Sequence, residues 1–140
     1  MAAQEFDELV ENFAFLDDWE ERYGYLIELG KALPEFADAR KTPESVVHGC
    51  ASQVWIEERI VDGNGVARVE FDGDSDALIV RGLIAVLRTL ISGESAKDVA
   101  AMNVSEQLER LDLASHLSRQ RSNGLAAMIA RLREFSARAG

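Results

Sequence analysis

QVWIEERIVDGNGVARVEFD, residues 53–72, is the stretch that decides the fold. From Gln53 onward Val54, Ile56 and Ile60 fall on one side of an extended chain, and Trp55, Glu57, Arg59 and Val61 fall on the other. That is the two-residue period of a strand. Asp62-Gly63-Asn64-Gly65 supplies residues that tolerate positive φ, and beyond it Ala67, Val69 and Phe71 alternate with Arg68, Glu70 and Asp72. The pattern predicts an antiparallel hairpin, with Trp55, an aromatic side chain two positions into its first strand, read as core. Room remains for a third short strand at Val46-Val47.

Helical spacing surrounds this hairpin. Phe6, Leu9, Val10, Phe13 and Leu16 recur at i, i+3 and i+4, and Trp19, Tyr23, Leu26 and Ile27 repeat the pattern after Asp17-Asp18, so two helices precede it. Gly30 and Pro34 read as stop signals, and Asp38 to Pro43 as polar connection. Residues 77–91 are apolar nearly all round, as expected of a helix packed between a sheet and other helices. Ser95-Ala-Lys-Asp98 resembles a capping box, and Ser105 is expected to cap a further short helix through Leu111. Leu125, Met128, Ile129, Leu132 and Phe135 form the stripe of a long last helix, with Arg131, Arg133 and Arg138 placed to suit the C-terminal end of its dipole. Helices, hairpin, then helices describe an α+β domain, a small antiparallel sheet packed against several helices, expected to span residues 1–140 as one unit.

The 140 residues, 47% apolar, suffice for one core. A net charge of −10 without any Lys/Arg cluster repels phosphate backbones, which argues against nucleic acid as a partner. The acid is uneven: residues 1–44 hold 12 acidic and 4 basic side chains, residues 105–140 hold 4 and 6. No apolar run approaches the roughly 18 residues of a membrane span, and no basic segment leads into an apolar one at the N-terminus; the expectation is a cytoplasmic protein without a membrane partner.

Three familiar motifs fail on inspection. Asp72-Gly-Asp74-Ser-Asp76 begins like a calcium loop, but the required Gly and Glu positions hold Ala77 and Leu83, leaving an acidic turn before a helix. Gly63-Asn-Gly65 is followed by Arg68 and a strand, which suits a hairpin turn and not a dinucleotide fingerprint. His48, His116 and Cys50, the only soft ligands, match no zinc or iron–sulfur spacing. His116 could approach Cys50 in space, but no spacing along the chain reveals a triad.

Cys50 is the single cysteine, so it is a structural thiol, half of an intermolecular pair, or a reactive nucleophile. A lone cysteine is commonly a small buried hydrophobe, and the neighbours of Cys50 weigh against that reading without excluding it. Gly49 removes a side chain beside the sulfur and permits unusual backbone angles, and Ala51 adds little bulk. Ser52 and Gln53 can donate hydrogen bonds to a thiolate or persulfide, and His48, if protonated, would favour the thiolate.

Gly49-Cys50-x-Ser52-x-Val54-Trp55, then Gly73-Asp74-Ser75-Asp76-Ala77 at a helix start, Ile79-Val80-x-Gly82-Leu83-Ile84, and Ser118-x-x-Arg121-Ser122-Asn123-Gly124-Leu125-x-x-Met128 follow one another along the chain. Together they resemble the SufE/CsdE group of sulfur-acceptor proteins. Arg119-Gln120 departs from the Pro and small polar residue common there, which leaves the start of the last helix less sharply fixed. The resemblance implies a fold similar to iron–sulfur scaffold proteins, with Cys50 as persulfide acceptor on a loop that tucks into an apolar pocket and extends toward a partner. It further implies that His48, Gly49, Ser52, Asp74 and Arg121 support the loop or contact the partner. That partner would be a pyridoxal-phosphate-dependent cysteine desulfurase of the SufS/CsdA type. The sulfur would pass to a downstream acceptor such as a cluster scaffold, and the chain itself would need no cofactor or metal. Two other readings stay open: a noncovalent adaptor that docks on a desulfurase or sulfurtransferase, and a one-cysteine thiol peroxidase.

Overall fold

A computed structural model describes residues 2–50, 52–113 and 115–139. Ala51, expected to leave space beside the sulfur, lies outside the described residues. Two helices open the chain, α1 (Ala2–Phe15) and α2 (Trp19–Lys31). Phe6, Leu9 and Phe13 bury one stripe of α1, and Asp18 starts α2 by accepting a hydrogen bond from the Glu21 N–H at 2.8 Å. The expected loop at Asp38–Pro43 contains a short 3₁₀ turn, Asp38–Arg40.

The hairpin forms as β1 (Val54–Gly63) and β2 (Val66–Ser75), antiparallel from Val54 opposite Ser75 to Gly63 opposite Val66. Its two linking residues, Asn64 and Gly65, both have positive φ (55° and 79°), as a two-residue primed turn requires. Val54, Ile56, Val69 and Phe71 are buried. Ile60 shares their face yet is 37% exposed: α3 (Leu78–Ile91) and α4 (Ala96–Ala101) cover β2, and this part of β1 stands at an uncovered edge. Trp55, expected in the core, lies half-buried on the outer face, with the Lys41 ammonium 4.6 Å from its ring centre. The anticipated third strand is reduced to an isolated bridge between Val46 and Trp55.

The outer face of the hairpin gathers Arg40, Arg59 and Arg88 around Asp72. Burial alone would raise the Asp72 carboxyl, but hydrogen bonds from Arg40 and Arg59 and the charges of Arg59 and Arg88 hold it below its ordinary range.

Helix α3 is the centre of the core, with Leu83, Ile84, Leu87 and Ile91 sealed from solvent. It packs on α2 through two glycines. A methyl on Gly82 would overlap the Leu26 carbonyl oxygen, and one on Gly30 would lie 2.8 Å from the Gly82 nitrogen. Gly30 is therefore not the stop signal its position suggested; it is buried within α2 and sets how closely two helices approach.

Ser95 caps α4 by accepting from the Asp98 N–H at 3.1 Å. The cap of α5 (Val104–Glu109) is Asn103, which accepts from the Glu106 N–H, so the expected cap at Ser105 falls inside the helix. The last helix, α6 (Arg119–Ala139), buries Met128 and Leu132. It opens at Ser118, whose hydroxyl accepts from the Arg121 N–H and so fixes the start that Arg119-Gln120 left without a proline. Among the described residues no helix is long and apolar enough to cross a membrane.

Candidate functional site

Cys50 sits on a short loop tied at both ends to the base of β1. Upstream, the Val47 N–H donates to the Val54 carbonyl and the Ile56 N–H to the Ser45 carbonyl, both at 2.8 Å. Downstream, the Gln53 carbonyl accepts from the Ser75 hydroxyl at 2.7 Å, while the Gln53 N–H donates to the Asp76 carboxylate at 3.1 Å. These ties leave a tip in which Gly49, at φ 91°, takes a left-handed backbone that other residues adopt only with strain.

The Cys50 side chain is partly buried against the first turns of α6. Its sulfur lies 3.7 Å from the Gly124 carbonyl oxygen, to which the thiol donates. A methyl on Gly124 would lie 3.4 Å from that sulfur, so the Cys50 side chain rests directly against the Gly124 backbone, its seat on α6. Burial pushes the Cys50 thiol above its usual pKa. In this seated position the sulfur is held as the protonated, poorly nucleophilic thiol.

A cavity of about 260 Å³ opens beside the sulfur. Val54, Val80, Leu83 and Met128 make its apolar floor, and Ser52, Ser118, Gln120 and Arg121 its polar mouth. A second hollow, of about 250 Å³, lies behind the loop between His48, Cys50 and Trp55.

The residues expected at the site fall into two groups. Cys50, Ser52 and Arg121 come together around the cavity, and the Arg121 guanidinium has no ion-pair or hydrogen-bond partner among the described residues. His48 and Gly49 are on the exposed side of the tip. Asp74 does not meet the sulfur; it lies between Arg81 at 3.1 Å and Lys41 at 3.6 Å, tying the start of α3 to the segment before the loop. His116 is engaged elsewhere, its ring stacked on Trp19 at 3.9 Å and its backbone carbonyl accepting from the Tyr23 hydroxyl. Among the described residues no three His, Cys, Asp or Glu side chains converge to hold a metal ion.

The sequence motif contains Gly124 without giving it a role, and Arg131 reads there as a cation for the helix dipole; what both do at the site is what sequence reasoning missed. Arg131 is not near the end of its helix; α6 runs on to Ala139 and only Arg138 occupies the last turn. Its guanidinium turns inward and binds the Glu58 carboxylate at 2.9 and 3.1 Å, together with four backbone carbonyls. An arginine spaced seven residues beyond Gly124 on a helix that faces a strand was the available signal.

Residues 7–136 match the family model described as SufE, Fe-S metabolism associated domain. An uncharacterized SufE-like protein of Rhizobium etli is 49% identical over 128 residues, covering 91% of this chain and 86% of that protein. Another from Rhizobium meliloti is 43% identical over 127 residues, covering 91% of each. The solution structure of a hypothetical protein from Thermus thermophilus shares the fold, with a TM-score of 0.74 at 22% identity and coverage of 96% of this chain and 95% of that one. The glycine-framed cysteine loop thus stands in a chain that belongs to the SufE family, associated with iron–sulfur metabolism.

Proposed function

We propose that this chain is a sulfur acceptor for a cysteine desulfurase of the SufS/CsdA type, taking sulfur onto Cys50 and passing it toward iron–sulfur cluster assembly. It would act as a single domain in the reducing cytoplasm, where a lone thiol stays free. The supporting observation is the placement of the Cys50 sulfur, at the tip of a loop tied at both ends, beside a cavity with room for a second sulfur atom.

The chemistry is an exchange without net oxidation. Cys50, as thiolate, attacks the outer sulfur of the desulfurase persulfide; a new S–S bond forms to Cys50 as the old one breaks, and the desulfurase cysteine leaves as thiolate. The proton released by Cys50 is regained by that leaving group. Seated at Gly124, the thiol is kept protonated by burial; out of the seat that cause is removed, its pKa falls back toward the ordinary thiol range and the thiolate fraction rises. Reactivity is thereby coupled to loop extension. Arg121, at the cavity mouth, offers a positive charge to a persulfide anion or a partner carboxylate.

The test is desulfurase turnover with wild type and Cys50→Ser. An acceptor loses its stimulation with the serine variant. Stimulation that survives the substitution would assign the chain instead to contact-based adaptors.

A further inference from the structure

Helix α6 carries both the seat of the sulfur and the support of the loop that bears it. Gly124, Met128 and Arg131 follow at i, i+4 and i+7, one face of the helix. At the first of these the carbonyl receives the Cys50 thiol. At the last, two turns on, Arg131 Nη1 donates to the carbonyls of Ser45 and Val46 at 3.1 and 2.9 Å. Nη2 donates to those of Glu44 and Ile56 at 2.8 and 2.9 Å. The same guanidinium pairs through Nε and Nη2 with Glu58, whose side chain is only 10% exposed. Glu44, Ser45 and Val46 are the stem that leads into the loop, and Ile56 and Glu58 belong to the strand that leaves it. One side chain therefore fixes both legs of the loop at one height along α6.

A guanidinium suits this task because its planar fork of five donors meets several acceptors in fixed directions, which an ammonium cannot do. Residues 44–46 on one side of the loop and Ile56 and Glu58 on the other are thereby anchored to α6.

We propose that Arg131 is a positioning residue for Cys50, setting the register of the loop on α6 so that the sulfur seats at Gly124 and swings out from a fixed base. The inference rests on the acceptor reading for its consequence in transfer, but the seating itself does not depend on it.

The experiment compares wild type, Arg131→Lys, and the pair Arg131→Met with Glu58→Met, which leaves no unpaired buried carboxylate. Leu9→Ala, a core truncation on α1, serves as a control for destabilisation alone. All are assayed well below their unfolding transitions. Alkylation of Cys50 by iodoacetamide needs access but no geometry, so it is expected to accelerate roughly tenfold in the double variant, the effect of losing about one charge-assisted hydrogen bond of seating. Sulfur transfer from a SufS-type desulfurase needs alignment, so its kcat is expected to fall by about tenfold or more, with KM for the chain held within about twofold. Arg131→Lys should fall between, and Leu9→Ala should match wild type in both assays. Opposite movement of alkylation and transfer is the signature of lost positioning. Unchanged alkylation in the double variant, or equal acceleration in Leu9→Ala, overturns the proposal. Faster alkylation alongside a wild type that accepts no sulfur would leave the seating intact and remove the acceptor reading.

Discussion

Gly82→Ala tests the packing that supports the cavity, and its magnitude can be worked from the structure. Alanine is favoured over glycine inside a helix by about 1 kcal/mol. Against that, the new methyl would overlap the Leu26 carbonyl oxygen, lie 2.8 Å from its carbonyl carbon and 3.0 Å from the Leu26 Cβ. Two of these atoms are backbone, so no flexible side chain can yield and α2 must back away from α3. Overpacking typically costs about 1–3 kcal/mol, and backbone resistance puts this case at or above the upper end, a net loss of about 2 kcal/mol. For a chain of this size that lowers Tm by roughly 7 °C. Gly24→Ala, in α2 with open space around the new methyl, should move Tm upward by the propensity term alone. Thermal unfolding by circular dichroism reads both. A Gly82→Ala variant as stable as wild type would refute the close helix contact.

Two pH dependences follow from the perturbed groups. Burial raises the Cys50 thiol, so its contribution to stability is fully present below the ordinary thiol pKa of about 8.5 and is lost as pH rises through the higher folded value. Denaturant titrations should therefore show wild type losing ground to Cys50→Ser only at alkaline pH; parallel curves would contradict the seated thiol. Asp72 is shifted the opposite way, since its arginine partners outweigh its burial, and its contribution is present above about pH 3.9 and lost as pH falls through its lower folded pKa. Asp72→Asn should be less stable than wild type at neutral pH, with the difference closing in acid; a constant difference across that range would show that the charge is not what matters.

Local signals made much of this architecture legible. Positive-φ residues at Asn64 and Gly65 and the alternation around them specify a hairpin because turn chemistry and period are properties of adjacent residues. The first two helices, α3 and the stripe of α6 are legible for the same reason. What escaped depends on neighbours distant in sequence. Gly30 carries the composition of a helix stop, and only the approach of Gly82 on another helix explains it. Trp55 has the polarity of a core residue, but the pleat turns it outward to Lys41. Ile60 follows the buried alternation beyond the point where helices cover β1.

At the site the same division holds. Cys50 with its glycine and serine neighbours stands out locally, and the family resemblance adds Arg121, which the fold brings to the same cavity. Gly124 belongs to the resembling motif without a role and Arg131 does not stand out, because what each does exists only when α6 lies against the loop. Arg131 in particular looks like any basic residue near a helix end until the length of α6 and the carbonyls of residues 44–46 are seen together.

The most direct measurement is intact mass of the chain after incubation with a SufS-type desulfurase and L-cysteine. A gain of one sulfur atom, reversed by a reducing thiol and absent from Cys50→Ser, is the expected result. A wild-type chain that keeps its original mass while the desulfurase turns over would contradict the transfer of sulfur to Cys50.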